Sequence, residues 1–278
     1  MTLTVITINY NNLEGLRRTV PTVVAQTFQD FEYIVIDGGS TDGSREYIEH
    51  EPRIDYWVSE HDHGIYNAMN KAVARASSEY CLFMNSGDMF FSPMVLEQCV
   101  PLLGEADFCA GGAVFMKGQE ARTWMPPASM SVGFILVNSL CHQSLFTRTS
   151  LMRQHPFNES HRIMSDWEQF ATCWHLHHAS YRSLPSIVSI YFMDGISSTQ
   201  KGLAARERAQ VAALVFGHTA ASQGSQAEQR MAARENKNLG REAVLRNKLR
   251  HAMDMKPLAR DWKIVRNGVK FLLKDLFG

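Results

Sequence analysis

The sequence predicts an α/β fold in which a mostly parallel β-sheet is flanked by helices. Four short runs of apolar and β-branched residues occur in the first 84 residues, separated by stretches with apolar residues at helical spacing. Regular alternation of strands and helices is typical of βαβ units, whose strands pair in parallel. Polar residues directly follow each run, and this is where open parallel sheets bind their ligands.

The individual elements follow from hydrophobic periodicity and β-propensity. The four strands are predicted at Leu3–Ile8, Phe31–Ile36, Ile54–Val58 and Tyr80–Met84. The helices among them are predicted at Leu13–Val24, Arg45–His50 and Ile65–Arg75. Later in the chain we expect helices over Pro93–Leu103 and Trp167–His177, and strands over Phe108–Phe115 and Ile187–Phe192.

Length and composition are those of a folded protein with one large domain, or with one domain and an appendage. The chain has 278 residues, of which 45% are hydrophobic and 20% charged. These values exclude a disordered or collagen-like chain.

The cysteines, the N-terminus and the hydropathy predict a cytoplasmic protein. The five cysteines form no Cys-x-x-Cys pair and stand mostly among apolar neighbours, which indicates free thiols in a reducing compartment. The N-terminus begins directly on a predicted strand, without a charged leader or cleavage site. No stretch reaches the roughly 20 apolar residues that a membrane span needs.

Polar side chains stand just past the carboxyl end of each of the four strands: Asn9 with Asn11, Asp37, Asp62 and Asp88. Any one of them could be a helix cap or a turn former. Four in succession on one edge of the sheet indicate a shared ligand crevice. The chain has no Gly-x-Gly-x-x-Gly after the first strand and no Gly-x-x-x-x-Gly-Lys-Ser/Thr, which disfavours a Rossmann dehydrogenase and a P-loop NTPase.

Four successive segments resemble the motifs of the family 2 inverting glycosyltransferases of bacterial polysaccharide biosynthesis, which have the GT-A fold. The segments are Thr7–Asn12, Val35–Gly43, Asp62–Ala72 and Asn85–Asp88. The resemblance covers about residues 1–200. It implies a GT-A (Rossmann-like) catalytic domain over residues 1–200. Beyond it, apolar residues at helical spacing predict a helical C-terminal extension over residues 201–278.

The resemblance implies roles for the polar strand ends. It assigns nucleotide and donor binding to seven residues: Thr7, Asn9, Asn11, Asp37, Asp62, Asn70 and Lys71. Among them, Asp37 is expected to hydrogen-bond the nucleotide base. One position departs from the family pattern, because Asn67 stands where the third motif often carries an acidic residue. The contact with the sugar is expected to differ there.

The segment Asn85–Asp88 occupies the place of the family's Asp-x-Asp motif, which implies a Mg²⁺ or Mn²⁺ cofactor held by Asp88. Only the last carboxylate is kept, with Asn85 and Gly87 at the other positions. Such a cation can be held by one carboxylate together with diphosphate oxygens and water. We therefore expect the metal to bind with the donor and to neutralise charge on the departing diphosphate. The alternative is that Asp88 only begins a turn.

Motifs in the second half of the chain resemble the acceptor side of the family. His142 and Gln143 stand on a predicted strand, and Asp166 and Trp167 stand at the start of a predicted helix. By resemblance, Asp166 is the general base, and His142, Gln143 and Trp167 border the acceptor. From the residues alone, Ser165 or Asp166 could instead cap the helix.

The C-terminal segment differs in charge from the rest of the chain. Residues 241–278 hold ten Lys/Arg against four Asp/Glu, whereas residues 1–240 hold 18 against 24. Apolar residues recur at helical spacing near its end: Trp262, Val265, Val269, Leu272 and Leu276. A basic amphipathic helix of this kind favours peripheral contact with the inner face of the cytoplasmic membrane. The alternative is a helix that packs on the catalytic domain or on a dimer partner.

The resemblance implies an inverting glycosyltransferase that moves a sugar from a nucleotide-sugar donor, a UDP-sugar, to a hydroxyl of a growing surface glycan or lipid-linked oligosaccharide. One rival is a non-catalytic nucleotide-sugar-binding protein, suggested by the reduced metal motif. A second is a nucleotidyltransferase, but the Gly-rich basic loop expected after its first strand is missing from Asn9–Leu13. Nucleic acid is disfavoured as a partner because residues 1–240 are acidic.

Overall fold

The computed structural model describes residues 1–193 and 200–218. Within these residues, nine strands form one sheet: β1 (Leu3–Asn9), β2 (Phe31–Asp37), β3 (Tyr56–Ser59), β4 (Tyr80–Phe83), β5 (Met89–Phe90), β6 (Phe108–Lys117), β7 (Glu120–Trp124), β8 (Leu145–Arg148) and β9 (Tyr181–Phe192). The α-helices are α1 (Leu13–Val24), α2 (Ser44–Glu49), α3 (Ile65–Arg75), α4 (Val95–Cys99), α5 (Val132–Val137), α6 (Thr149–Gln154), α7 (Ser165–Leu176) and α8 (Lys201–Phe216).

The predicted α/β fold is confirmed, and the sheet is parallel in its first half and mixed in its second. Its strand order is β3-β2-β1-β4-β8-β6-β9-β5, with β7 paired to β6. The neighbours β3, β2, β1 and β4 pair in parallel, as do β6 and β9. Strand β8 is antiparallel to both of its neighbours, and β5 and β7 are antiparallel to their partners.

The parallel half of the sheet is covered on both faces, which explains its continuous apolar strands. All seven residues of β1 are buried. Leu3 and Val5 join one apolar cluster, and Ile6 and Ile8 join another on the opposite face. The five cysteines are also buried and have free thiols.

Strand register aligns the polar ends of the first three strands. Asn9, the last residue of β1, lies opposite Asp37, the last residue of β2. Asp37 in turn lies opposite Ser59, the last residue of β3. The parallel arrangement therefore brings the loops that follow these strands to one edge of the sheet.

Two elements of the second half differ from the prediction. Strand β9 begins at Tyr181 rather than at Ile187. Its first residues were not predicted as strand because Arg182 and Pro185 interrupt the apolar run there. The His-Gln pair lies on a short 3₁₀ turn over His142–Ser144, directly before β8, and not on a strand.

Helix α8 packs on α7. Its buried Val211 and Ala212 share an apolar cluster with Trp167 and Phe170. The domain division at residue 200 stays a prediction, but the first helix of the extension contributes to this core.

The predicted basic amphipathic helix at the C-terminus lies outside the described residues. Over residues 1–193 and 200–218, no helix has the length and hydrophobicity needed to cross a membrane.

Candidate active site

A cleft of about 1470 Å³ opens at the carboxyl edge of β1, β2, β3 and β4. It brings together the predicted donor-side and acceptor-side motifs, which are far apart in the sequence. Six of the predicted site residues line it: Asn9, Asp62, Asp88, His142, Gln143 and Asp166. The other six do not: Thr7, Asn11, Asp37, Asn70, Lys71 and Trp167.

The carboxylate of Asp37 is fully buried and saturated with hydrogen bonds. Its Oδ1 accepts from Nδ2 of Asn9 (2.7 Å) and Oγ of Ser40 (2.5 Å). Its Oδ2 accepts from the backbone N of Ser40 (2.9 Å) and Oγ of Ser59 (2.6 Å). Because each carboxylate oxygen has two lone pairs, these four bonds fill its acceptor positions. Asp37 therefore holds three strand ends together, and in this arrangement it does not face the cleft as its predicted contact with the base requires.

Asp37→Asn is expected to reduce the free energy of unfolding by about 3 kcal/mol, because the new amide group would face donors that have lost their acceptor. Urea denaturation measures this loss. Asp42→Asn is the matched control, since its exposed carboxylate on the same loop accepts from the backbone N of Leu13 (2.8 Å). The control should lose about 1 kcal/mol or less. Equal losses in the two variants would contradict the structural role of Asp37.

Thr7 and Asn11 shape the strand ends without lining the cleft. The hydroxyl of Thr7 is fully buried and donates to the carbonyl oxygen of Met84 (2.8 Å). Asn11 has a φ of 45°, and its Oδ1 accepts from the backbone N of Thr41 (2.9 Å). Thr7 thus ties β1 to the end of β4, and Asn11 ties the first loop to the second.

Gly38 and Asp62 form the cleft wall beside the ends of β2 and β3. A Cβ atom at Gly38 would lie 2.6 Å from Oδ2 of Asp62 and 3.1 Å from the ring of Tyr10, so glycine permits this close approach. Oδ1 of Asp62 accepts from the backbone N of Gly64 (2.9 Å), which orients the other oxygen over Gly38. At this end, the carboxylate that faces the cleft is that of Asp62 rather than that of Asp37.

The side chains of Asn70 and Lys71 bind other parts of the protein. Asn70 accepts from the backbone N of Phe157 (2.9 Å) and donates to its carbonyl oxygen (2.9 Å). Nζ of Lys71 lies 2.8 Å from Oε1 of Glu60. Both residues therefore anchor α3, and their contacts with a donor stay a prediction.

Glu159 is a cleft residue that the sequence motifs did not identify. Its carboxylate accepts from Nδ2 of Asn67 (3.0 Å) and from Nδ2 of Asn70 (2.9 Å). A carboxylate thus lies against Asn67, the position where the third motif often carries an acidic residue. Sequence reasoning missed it because the two residues are 92 positions apart.

The turn Asn85–Asp88, which follows β4, is held by α1. The backbone N of Asp88 donates to the carbonyl oxygen of Asn85 (3.0 Å), and Gly87 has a φ of 110°, which favours glycine. Oγ1 of Thr19 accepts from the backbone N of Gly87 (2.9 Å) and donates to the carbonyl oxygen of Asp88 (2.7 Å). These bonds fix the direction of the Asp88 side chain.

The carboxylate of Asp88 is nearly buried and forms part of the cleft wall. Nε2 of Gln143 donates to its Oδ2 (2.8 Å), and the backbone N of Phe192 donates to its Oδ1 (3.2 Å). Gln143 therefore orients the Asp88 carboxylate, which links the motifs of the first and second halves of the chain directly.

The oxygens of this turn fit a divalent cation that has few protein ligands. Oδ1 of Asn85 is buried and accepts no hydrogen bond from the described residues. With Asp88 it offers oxygen ligands, which Mg²⁺ and Mn²⁺ prefer. In the described part of the chain, no three His, Cys, Asp or Glu side chains are grouped to hold a metal. An ion here would take its remaining ligands from a diphosphate and water.

Asp166 lies in the first turn of α7, where the helix dipole favours a negative side chain. Met164 occupies the N-cap position, so the alternative of a cap formed by Ser165 or Asp166 is not what the structure shows.

The hydroxyl of Tyr66 lies 2.6 Å from the carbonyl oxygen of Ile163 and 3.1 Å from Oδ1 of Asp166. Burial, and then the charge of Asp166, raise the pKa of Tyr66 well above its ordinary value. Tyr66 therefore stays a hydrogen-bond donor.

His142 forms an aromatic wall close to Asp166. Its ring packs on Phe83, with 4.9 Å between the ring centroids. Its Nε2 is buried and has no hydrogen-bond partner among the described residues. Burial lowers the pKa of His142, against the opposing effect of the Asp166 charge, so the ring is neutral at neutral pH.

Trp167 differs from its predicted place on the acceptor side. It is 3% exposed and belongs to the core between α5, α7 and α8. Its indole Nε1 donates to the carbonyl oxygen of Ile135 (3.2 Å). Adjacent residues on a helix point in different directions, so Asp166 reaches the cleft while Trp167 packs inside.

A histidine–carboxylate pair also borders the cleft. Nδ1 of His161 donates to Oε2 of Glu168 (2.7 Å), and Nδ2 of Asn158 donates to Oε1 of Glu168 (3.3 Å). His161 itself lines the cleft. Glu168 stands directly after Asp166 and Trp167 in the first turn of α7, but no sequence motif pointed to His161.

Comparison with known proteins places these features in a family. The profile of a family described as glycosyl transferase family 2 matches residues 4–167. An uncharacterized glycosyltransferase of Mycobacterium tuberculosis is 47% identical over 104 residues, which are 37% of this chain and 40% of that protein. The chain thus spans about two fifths of the length of that relative.

Two solved structures share the fold at low sequence identity. The first is Staphylococcus aureus TarS, residues 1–349, in complex with UDP-GlcNAc, with a TM-score of 0.62 and 16% identity over 98% of this chain and 81% of that one. The second is the mannosyltransferase PcManGT of Pyrobaculum calidifontis in complex with GDP-Man and Mn²⁺. Its TM-score is 0.59 and its identity 17%, over 99% of this chain and 87% of that one.

Proposed function

Since the chain belongs to glycosyl transferase family 2, we propose that it is an inverting glycosyltransferase that moves a sugar from a UDP-sugar to a hydroxyl of a growing glycan. One observation carries the proposal. The Asn85–Asp88 turn and Asp166 line the same cleft. A transferase needs this arrangement, because the site of the donor diphosphate and the base for the acceptor must face one another across the reacting sugar. A cleft that only bound a nucleotide sugar would not need a carboxylate on its acceptor side.

The nucleotide is proposed to lie along the ends of β1, β2 and β3. Oδ2 of Asp62, held over Gly38, would accept the imide N–H of uracil. Asn9 and Asp37 would keep the ends of β1 and β2 rigid beneath the nucleotide through their buried hydrogen bond (2.7 Å). The complex of TarS with UDP-GlcNAc supports a uridine nucleotide in this fold.

The diphosphate is proposed to lie at the turn after β4. Asp88 and Asn85 would hold a Mg²⁺ or Mn²⁺ ion there, and when bound this ion supplies positive charge against the departing diphosphate. Gln143 and the backbone N of Phe192 hold the Asp88 carboxylate in position. The Mn²⁺ complex of PcManGT supports such an ion in this fold.

Asp166 is proposed to take the proton of the acceptor hydroxyl. As this proton moves to the carboxylate, the hydroxyl oxygen bonds to the anomeric carbon and the bond to the diphosphate breaks, so UDP leaves from the opposite face. A single displacement of this kind inverts the anomeric centre. The hydroxyl of Tyr66, which lies 3.1 Å from Oδ1 of Asp166, would keep the carboxylate directed at the acceptor.

A donor panel tests the function against its rival, a nucleotide-sugar-binding protein without activity. Thermal shift with UDP- and GDP-sugars identifies donors that bind, and release of nucleoside diphosphate with Mg²⁺ or Mn²⁺ then measures turnover. The proposal expects turnover of at least one UDP-sugar. Binding without turnover of any donor would favour the rival.

We also propose that the basic C-terminal segment attaches the protein to an anionic membrane surface, where a lipid-linked acceptor would lie. Deletion of residues 258–278, which include Trp262 and Lys263, is expected to abolish co-sedimentation with anionic vesicles. Zwitterionic vesicles are the control and should bind neither form. Equal sedimentation of the full and shortened chains with anionic vesicles would contradict the membrane role.

A further inference from the structure

Glu207 of α8 inserts a buried carboxylate beneath the loop that leads into α7. The residue is 5% exposed. Its Oε1 accepts from the backbone N of Arg162 (2.9 Å), and its Oε2 accepts from the backbone N of Ile163 (2.9 Å) and of Met164 (3.0 Å). Three consecutive amides converging on one anion form the concave arrangement by which backbones bind anions.

These contacts require the charged form of Glu207. Burial alone would raise the pKa of this carboxyl, but the hydrogen bonds from the three amides outweigh burial and lower it below its ordinary value. A buried charge is costly unless it is paired or hydrogen-bonded, and here the loop backbone supplies the bonds. At neutral pH, Glu207 is therefore a fixed anion that binds the loop to α8.

The loop that Glu207 binds also places the groups at the acceptor side of the cleft. Ile163 supplies the carbonyl oxygen to which Tyr66 donates (2.6 Å), and the same hydroxyl lies 3.1 Å from Oδ1 of Asp166. Met164 is the N-cap residue of α7, two positions before Asp166. A shift of these backbone amides would move both the Tyr66 hydroxyl and the Asp166 carboxylate.

We propose that Glu207 is a positioning residue, which fixes the loop over residues 162–164 and through it the Asp166 carboxylate. The inference rests on the proposed function, in which Asp166 is the base. Glu207 lies outside residues 4–167, the part of the chain that the family profile matches. A helix of the C-terminal extension thus completes the acceptor side of the site.

Glu207→Gln is expected to lower kcat about 10- to 100-fold, because a misplacement of about 1 Å can cost this much. The glutamine keeps one acceptor oxygen and turns an NH₂ group toward at least one amide. The KM for the donor and the Kd for UDP should change less than about twofold, since the loop lies on the acceptor side. Glu207→Asp keeps the charge on a shorter side chain and should recover part of the lost kcat.

The test uses the full-length chain and three readouts. Calorimetry with UDP and Mn²⁺ gives the Kd, nucleotide release gives kcat and KM, and hydrogen exchange reports the amides of Arg162, Ile163 and Met164. The matched control is Arg206→Gln, which changes the exposed residue next to Glu207 and should leave all three readouts unchanged. The proposal expects faster exchange of the three amides and a lower kcat with an intact Kd in Glu207→Gln.

Three results would overturn the proposal: unchanged amide exchange in Glu207→Gln, a kcat within twofold of the wild type, or a loss of UDP affinity that parallels the loss of kcat. The parallel loss would point to general unfolding of the cleft. The exchange readout needs no substrate, so it separates this inference from the proposed function. A wild type that turns over no donor would contradict the function, and unchanged exchange would contradict the contact.

Discussion

Asp166→Asn is expected to reduce kcat about 100- to 10,000-fold, which is the range that a positioned general base contributes. The amide cannot take the proton of the acceptor hydroxyl, although it fits the same space. The Kd for UDP should stay within about twofold of the wild type, because Asp166 lies on the acceptor side of the cleft. Steady-state nucleotide release and calorimetry with UDP measure the two quantities.

A matched control separates the loss of the base from the loss of one negative charge. Glu46→Gln removes a carboxylate from the exposed face of α2 and should leave both quantities unchanged. Retention of full activity by Asp166→Asn would show that the base is elsewhere. One candidate would then be His161, which also lines the cleft and has its ring oriented by Glu168 (2.7 Å).

Asp88→Asn is expected to lower kcat about 1,000-fold, because a bound cation stabilises the transition-state charge by several kcal/mol. Asp88 is the carboxylate of the turn after β4, and Asn85 provides only a neutral oxygen beside it. The variant should also abolish the tightening of UDP binding by Mn²⁺. Calorimetry with UDP in the presence and absence of Mn²⁺ measures that effect.

Asp42→Asn serves as the control for Asp88→Asn, since it makes the same change on an exposed loop at the same edge of the sheet. It should keep the response of UDP binding to Mn²⁺. If Asp88→Asn kept that response as well, the cation would not be bound at this turn. The proposed place of the diphosphate would then be wrong.

Local sequence patterns were sufficient to predict the parallel half of the sheet. Strands such as β1 are buried on both faces, so their continuous apolar composition is enough to identify them as strands. Strand β9 was predicted only in part, because its polar first residues, Tyr181–Ser183, resemble a loop although they pair with β6. Pairing across the sheet overrides local propensity there. Pro185 lies in the irregularity between Ser183 and Ile187, where the pairing is interrupted.

The sequence motifs correctly predicted the edge of the sheet at which the cleft lies. They did not show which of the polar residues at that edge face the cleft. Asp37 and Asn70 have the residue types of ligand contacts, yet their side chains are engaged with Ser40 and Phe157. A polar group at a strand end has to satisfy its hydrogen bonds, and the sequence does not show whether protein or ligand supplies the partner.

The contacts that sequence reasoning missed join residues that are far apart in the chain. Tyr66 reaches Asp166 from 100 positions away, and Glu207 reaches Met164 from 43 positions away. No spacing rule connects such pairs, because the fold alone brings them together.

The stereochemistry of the released sugar tests the central claim most directly. The UDP-α-sugar identified by the donor panel is incubated with the protein and Mn²⁺ without an acceptor, and proton NMR records which anomer appears before mutarotation. With water in the place of the acceptor hydroxyl, single displacement predicts that the β anomer appears first. Initial release of the α anomer, or binding of the donor with no release at all, would contradict an inverting transferase with Asp166 as its base.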